Sequence, residues 1–204
     1  MADLATLKSR IATEIHRSNA TADIAYAIAD AVAEYQTHRF AFNQVSTTFS
    51  TTAGTEYYGV SVIPTDIAQI DSLRITANGR TTVIEPRNWA EIDSISTTTS
   101  AQSRPIVWAW YKEQIRFYPV PDGTYTVQIN YLQKLDVPST DGASNAWTEE
   151  AEELIRQAAK AKYFTNVAYD IENANFAAGQ AQIQFKRLKR ELLQLETGPL
   201  VGSM

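Results

Sequence analysis

Residues 103–132, SRPIVWAWYKEQIRFYPVPDGTYTVQINYL, decide the fold class. They read as three consecutive strands, at 106–111, 114–118 and 124–132. The residues are aromatic and β-branched, which suits a pleated, half-buried surface. Lys112-Glu113 marks the first turn. Residues 119–123, with two prolines and a glycine, mark the second. In the third strand Tyr125, Val127, Ile129 and Tyr131 alternate with Thr126, Gln128 and Asn130, so one face is apolar and the other polar. The expected arrangement is a meander, with the rest of the chain packed around it.

Upstream, Leu4, Leu7, Ile11 and Ile15 recur at helical spacing and predict an amphipathic helix over 2–17. Residues 18–21 break it. Asn19 or Thr21 is placed to cap a second helix, which carries Ile24, Ile28, Ala31, Val32 and Tyr35 on one stripe and ends near His38. From Arg39 the period becomes two: Phe40 and Phe42, then Val45, Thr47 and Phe49. A turn at 52–55 leads to a strand at 57–63. Strands at 70–76 and 81–85 flank Asn78-Gly79, a strong hairpin signal because both residues tolerate positive φ. Asn88, with Glu91 three residues on, predicts a short capped helix over 88–95. The Ser/Thr-rich stretch 96–103 reads as an exposed loop.

Downstream, the composition of 136–146 is that of a loop. Thr148 is expected to cap a third helix running to Tyr169. Its acidic first turn, Glu149, Glu150, Glu152 and Glu153, suits the helix dipole. A last helix runs to Leu195 with a heptad-like seam of Ala174, Ala178, Ala181, Phe185, Leu188, Leu192 and Leu195, and Gly198-Pro199 stops it. The fold class is therefore α+β. A helical bundle is built from N- and C-terminal helix pairs, residues 1–38 and 147–195. An antiparallel β-rich domain, 39–135, is inserted, with 136–146 connecting it and 196–204 forming a flexible arm.

The chain of 204 residues is 44% apolar and 20% charged, ordinary values for a globular protein. A net charge of -5 argues against a free-standing nucleic-acid binder, which shows a basic excess. There is no cysteine, which excludes disulfides and thiolate metal sites. The N-terminal segment has no long apolar run, so neither a signal peptide nor a membrane helix is expected.

No catalytic, cofactor-binding or metal-ligating set is expected. His16 and His38 fall near helix C-termini, where a partly charged imidazole is favourable. HxxxH, G-x-S-x-G, P-loop and dinucleotide patterns are missing from the sequence. The carboxylates Asp66 with Asp71, and Glu91 with Asp93, read as caps or surface groups, because a glycosidase pair is defined by separation in space. Lys186, Arg187, Lys189 and Arg190 are the one basic cluster, a candidate contact for DNA or an acidic partner. The aromatic run Trp108, Trp110 and Tyr111 offers a stacking platform or, more ordinarily, core packing.

The order of short signals carries a resemblance. Arg17-x-Asn19 is followed by Tyr35-x-x-x-Arg39-Phe40-x-Phe42-Asn43, then Phe49-x-Thr51 with Gly54 and Tyr57-Tyr58. Next come Pro64-x-Asp66, Glu91-Ile92-Asp93, Ser103-Arg104-Pro105 and Tyr118-Pro119-x-Pro121-Asp122. Tyr125-x-Val127-x-Ile129-x-Tyr131 and Ser144-Asn145-x-Trp147 close the series before Leu154-Ile155. This succession resembles the adaptor, or head-to-tail connector, proteins of tailed bacteriophages. The resemblance implies a helical bundle with an inserted β-domain and no enzymatic role. It implies a homo-oligomeric ring, usually dodecameric, in the virion neck, assembled in the host cytoplasm. The implied partners are the portal protein and a tail or nozzle protein, with DNA passing through a central channel and no membrane involved. It also implies a C-terminal arm, with Leu195, Leu200, Val201 and Met204, that grips the portal or a neighbouring subunit. The alternative is a tail-associated carbohydrate-binding or cell-wall-hydrolysing protein that uses the aromatics around Trp108.

Overall fold

The apolar spacing at the N-terminus yields two helices, and both begin and end for identifiable reasons. The computed structural model describes residues 2–96 and 101–197. Helix α1 spans Leu4–Glu14 and buries Leu4, Leu7 and Ile11. Asp3 caps it by accepting from the Thr6 N–H at 2.8 Å. The next orphan donors, the Leu4 and Ala5 N–H groups, bond the carbonyls of Ala143 and Asp141. The stretch 136–146 is therefore tied to the chain's own first helix, and Lys8 pairs with Asp141 at 2.5 Å. Helix α1 ends at the left-handed His16, φ 54°. Helix α2 spans Thr21–Tyr35 and buries the whole expected stripe. Its N-cap is Ala20, which makes no side-chain cap bond, so neither Asn19 nor Thr21 takes that role.

Phe40 and Phe42 do not continue an alternating strand. The chain makes a 3₁₀ turn at Ala41–Asn43. Asn43 holds it, accepting from the Phe40 N–H and donating to the His38 carbonyl. The turn stacks the two rings 5.0 Å apart, with Trp147 edge-on to both.

Strand β1, Gln44–Ser50, opens the β-rich unit, and β2 is only Tyr57–Tyr58. The expected strand at 57–63 stops there because the chain turns back, with Val62 and Ile63 N–H both bonding the Gly59 carbonyl. Strands β3, Ile67–Ala77, and β4, Arg80–Pro86, form the expected hairpin, Ala77 facing Arg80. Asn78 and Gly79 take the positive φ values, 51° and 73°, that the turn requires. Helix α3, Trp89–Ser96, follows, with the Asn88 side chain accepting from the Ala90 N–H. Strands β5, Val107–Tyr111, β6, Gln114–Tyr118, and β7, Thr126–Gln133, complete the set.

One sheet results, in the order β1-β7-β3-β4-β5-β6-β2. It is antiparallel except at the β4–β5 junction. The meander is therefore only two strands long. β5 and β6 pair as a hairpin, but β7 lies between β1 and β3. The proline-rich segment after β6 carries the chain away: the Val120 N–H bonds Ala101, and Pro119 and Pro121 have no N–H to extend a ladder with β6. Phe49, Leu73, Ile75, Ile84, Trp108, Ile115, Phe117, Val127 and Ile129 make up the core of this unit.

The C-terminal helices depart from expectation at their starts. Asn145, not Thr148, is the N-cap, and Thr148 completes a capping box around it. A short helix α4, Ala146–Glu149, precedes α5, Glu152–Tyr163. A π-helical turn, Phe164–Ala168, and the left-handed Tyr169 separate α5 from α6, Ile171–Thr197. In α6 the buried positions are Ala174, Ala177, Ala181, Leu188 and Leu192. Ala178 and Leu195, expected in the seam, are exposed.

The chain divides into two compact units, one up to Asn43 and from Lys134 onward, the other Gln44–Gln133. In the first, residues of α1, α2, α5 and α6 share one core with Phe40 and Trp147. The fold is mixed α+β, with six α-helices and seven strands among the described residues.

Candidate functional site

The strands β2, β5 and β6 and the helix α3 assemble a polar centre in the β-rich unit around Arg116. Alternation puts Ile115 and Phe117 on the core side of β6, and leaves Arg116 on the side of Ala109 and α3. Helical spacing puts Trp89, Asp93 and Ser96 on one side of α3. Arg116 is only 4% exposed. Its Nε donates to Glu56, one Nη to Asp93 and the other to the Ser96 hydroxyl at 2.8 Å. The guanidinium also lies over the rings of Tyr57 and Trp89, at 5.4 and 5.3 Å. Burial alone would lower its pKa, but the hydrogen bonds to Asp93 and Glu56 outweigh that and raise it. Burial, and then the Glu56 charge, raise the pKa of Tyr57. The centre is knit together by one fixed cation shared between two carboxylates, with Asp93 at its open edge. That is an architectural pin, not an acid–base pair.

An aromatic ledge runs beside it. Tyr57, Trp89 and Tyr111 follow one another at ring distances of 5.8 and 5.4 Å. Trp108 takes no part. It is 6% exposed, and its indole N–H bonds the Ile84 carbonyl at 3.1 Å. A sugar platform centred on Trp108 is therefore not what this strand builds.

The other sequence candidates scatter. Asp66 accepts from Tyr131 and Gln133. Burial and the Asp66 charge push the Tyr131 pKa up to about 12. His38 packs its ring 5.0 Å from Phe185. Of the acidic run, Glu152 and Glu153 face cations, while Glu149 accepts from the Ser144 hydroxyl. Arg156 pairs with Glu14, Glu152 and Glu153, and Lys160 pairs with Glu14 at 2.5 Å. No group of three or more metal-ligating side chains occurs among the described residues. Within the helical unit a cleft of about 380 Å³ is lined by Ala158, Ala161, Ala174, Ala178 and Ala181, with the Glu34–Lys162 pair at 2.7 Å. It gathers no set of groups for bond-making.

The basic cluster of α6 splits. Lys189 turns inward, donates to the Arg39 carbonyl at 2.8 Å and lies over the rings of Phe40 and Phe185. Arg187 faces Glu191 one turn on, at 3.7 Å. Lys186 and Arg190 are exposed. Leu195 is 72% exposed. Leu200, Val201 and Met204 lie outside the described residues.

The decisive comparison is with protein families: the model of the SU10 adaptor protein matches residues 2–202. The chain belongs to the SU10 adaptor protein family. It is thus a phage adaptor-type protein, a component of a virion. No curated protein matches it. For an SU10-family adaptor the informative surfaces are those that the chain leaves uncovered. No helix among the described residues is long and apolar enough to cross a membrane.

Sequence reading missed the Arg116 centre. Its partners come from two segments distant from it in sequence, 56–57 and 89–96, and an arginine flanked by Ile115 and Phe117 looks like an ordinary polar position in an alternating strand. The usable signal was Trp89-x-x-x-Asp93-x-x-Ser96 on one helix face, preceding a strand with a single cation.

Proposed function

We propose that this SU10-family adaptor forms a homo-oligomeric ring, of dodecameric order, between the portal and the tail or nozzle of a tailed phage. The match across residues 2–202 carries the reading. The N- and C-terminal helix pairs act as one bundle that supplies the ring contacts, a role supported by the core they share. The β-rich unit, with its polar centre around Arg116, serves as a rigid module. The net charge of -5 suits a channel through which DNA slides, since a lining that held phosphates would slow ejection. The role is structural, without catalysis. Residues 195–204, with Leu195, Leu200, Val201 and Met204, act as an arm on the portal or a neighbouring subunit.

Electron microscopy of virions tests the position: a ring at the portal vertex is expected, and a distal location would overturn the reading. Truncation after Leu195 tests the arm. The shortened chain is expected to fold but fail to join DNA-filled heads that carry the portal. Firm attachment by the truncated chain would remove the arm from the account.

A further inference from the structure

Helix α6 is 27 residues long, about 40 Å, and buries only one side within its own chain. On the opposite side Phe176, Gly179, Ile183, Lys186, Arg190 and Leu193 recur in alternating steps of three and four, and every one is exposed. Phe176 is 68% and Ile183 57% exposed. A Cβ added at Gly179 would meet nothing within 4 Å. Such a period is the one that a helix presents to another helix. A helix that shows it on both sides has a second helix to meet.

Helix α2 shows the complementary pattern. Ala22, Tyr26, Ala29 and Ala33 form its outer seam, again in steps of four and three, and all are exposed. Asp23, Asp30 and Glu34 flank that seam, and the helix contains no lysine or arginine. One seam carries Phe176, Ile183 and Leu193 with Lys186 and Arg190; the other is three alanines and Tyr26, flanked by carboxylates. Lys186, Arg190, Asp23 and Asp30 have no ion-pair partner among the described residues. Opposite charges left uncompensated on two faces of one chain complement each other between copies.

We propose that the outer seam of α6 packs against the outer seam of α2 of a second copy of this chain. The inference rests on the ring reading and gives it a surface. Because the two faces differ, the contact is heterologous, and each subunit offers α2 on one side and α6 on the other. Repetition of such a contact closes a ring when the rotation allows. DNA is the weaker occupant for the α6 seam, since Phe176 and Ile183 would gain nothing from a phosphate backbone.

The absence of native cysteine gives a clean test. Ala29→Cys and Ile183→Cys chains are made separately and oxidised alone and mixed. A disulfide-linked dimer is expected in the mixture, and neither variant is expected to cross-link efficiently by itself. Sedimentation of the full chain supplies the second measurement. K186D/R190D and D23K/D30K are each expected to weaken self-association at least about tenfold, and their equimolar mixture to restore it. Self-association that survives both charge reversals, with no cross-link in the mixture, would overturn this seam and leave the ring standing. A wild-type chain that stays monomeric at every concentration and in the cross-linking mixture would overturn both. The reversed residues are exposed, so unchanged far-UV ellipticity is expected and is checked alongside.

Discussion

The two units of this chain handle their charges and apolar groups in opposite ways. The β-rich unit turns inward. Its buried cation, Arg116, is surrounded by two carboxylates, a hydroxyl and two rings, and Phe49, Leu73, Ile75, Ile84, Phe117, Val127 and Ile129 share one core. The helical unit also has a full core, but α2 and α6 keep a second, outward pattern with unspent charge. A buried cation with its partners gathered around it marks a settled interior. A repeated pattern facing solvent marks a module that is incomplete as a single copy.

The sharpest way to break this contrast is at the two cores. Phe117→Ala, in the β-rich unit, is expected to cost about 3–5 kcal/mol, and Leu154→Ala, in the helical unit, about 2–5 kcal/mol. Both residues are at most 1% exposed. Chemical denaturation measures each, and a loss below about half a kcal/mol at either site would show that core to be absent. Arg116→Met comes next. It strands Glu56 and Asp93, and a cost of about 3 kcal/mol is expected, at the low end because Asp93 is half-exposed.

pH separates the units more gently. Among the described residues the carboxylates held below their ordinary values, Asp3, Glu153 and Asp170, all belong to the helical unit. For Glu153 burial pulls upward, but hydrogen bonds from Gln157 and Arg156 prevail. A depressed carboxylate contributes stability above its unfolded value, 4.5 for Glu, and loses it as pH falls through the folded one. Raised tyrosines act in reverse: stability is intact below pH 10 and is lost as pH climbs toward about 12, where Tyr131 ionises. Tyr57, Tyr58 and Tyr125 are raised in the same unit, and Tyr35 in the helical one. Acid is thus expected to loosen the helices first, read as ellipticity at 222 nm. Alkali is expected to loosen the sheet, read by tyrosinate absorbance against tryptophan fluorescence. The reverse order would dissolve the distinction. The smallest effect is expected at Ile183→Ala, a change in folding stability within about half a kcal/mol. A larger loss in thermal unfolding would mean that the outer seam is already packed within one chain.

Local signals were legible. The stripe of α2, the Asn78-Gly79 hairpin, the β5–β6 pair and the Asn88 start of α3 follow from spacing and turn chemistry. Contacts distant in sequence were not. The place of β7 between β1 and β3 depends on strands that lie far upstream. The 3₁₀ turn at Ala41–Asn43 is set by Trp147 and by Asn43's bonds, and an alternating pattern alone could not distinguish it from a strand. The inner seam of α6 was displaced at Ala178 because Ala177 and Ala178 are the same residue type, and nothing in composition chooses between them. For the candidate site, spacing alone makes the four-residue basic cluster a single patch. Lys189 leaves it for a carbonyl and two rings that the sequence does not place nearby.

The pairing of Gln44 with Leu132 bears on how the protein is made. The first helices leave the ribosome well before the segment that completes their core, with roughly 90 residues of β-rich chain between. Left unfolded, a loop of that length would charge about 4 kcal/mol of closure entropy against any meeting of α2 with α5. The pairing of β1 with β7 sets the entry and exit of that segment on adjacent strands. Once the sheet has formed, the two halves of the helical unit start from neighbouring points and the long closure is already done. The order of synthesis then becomes an order of folding: the inserted segment first, the interrupted one second. A released fragment ending near Lys134 would carry a finished sheet and two helices still waiting for their partners.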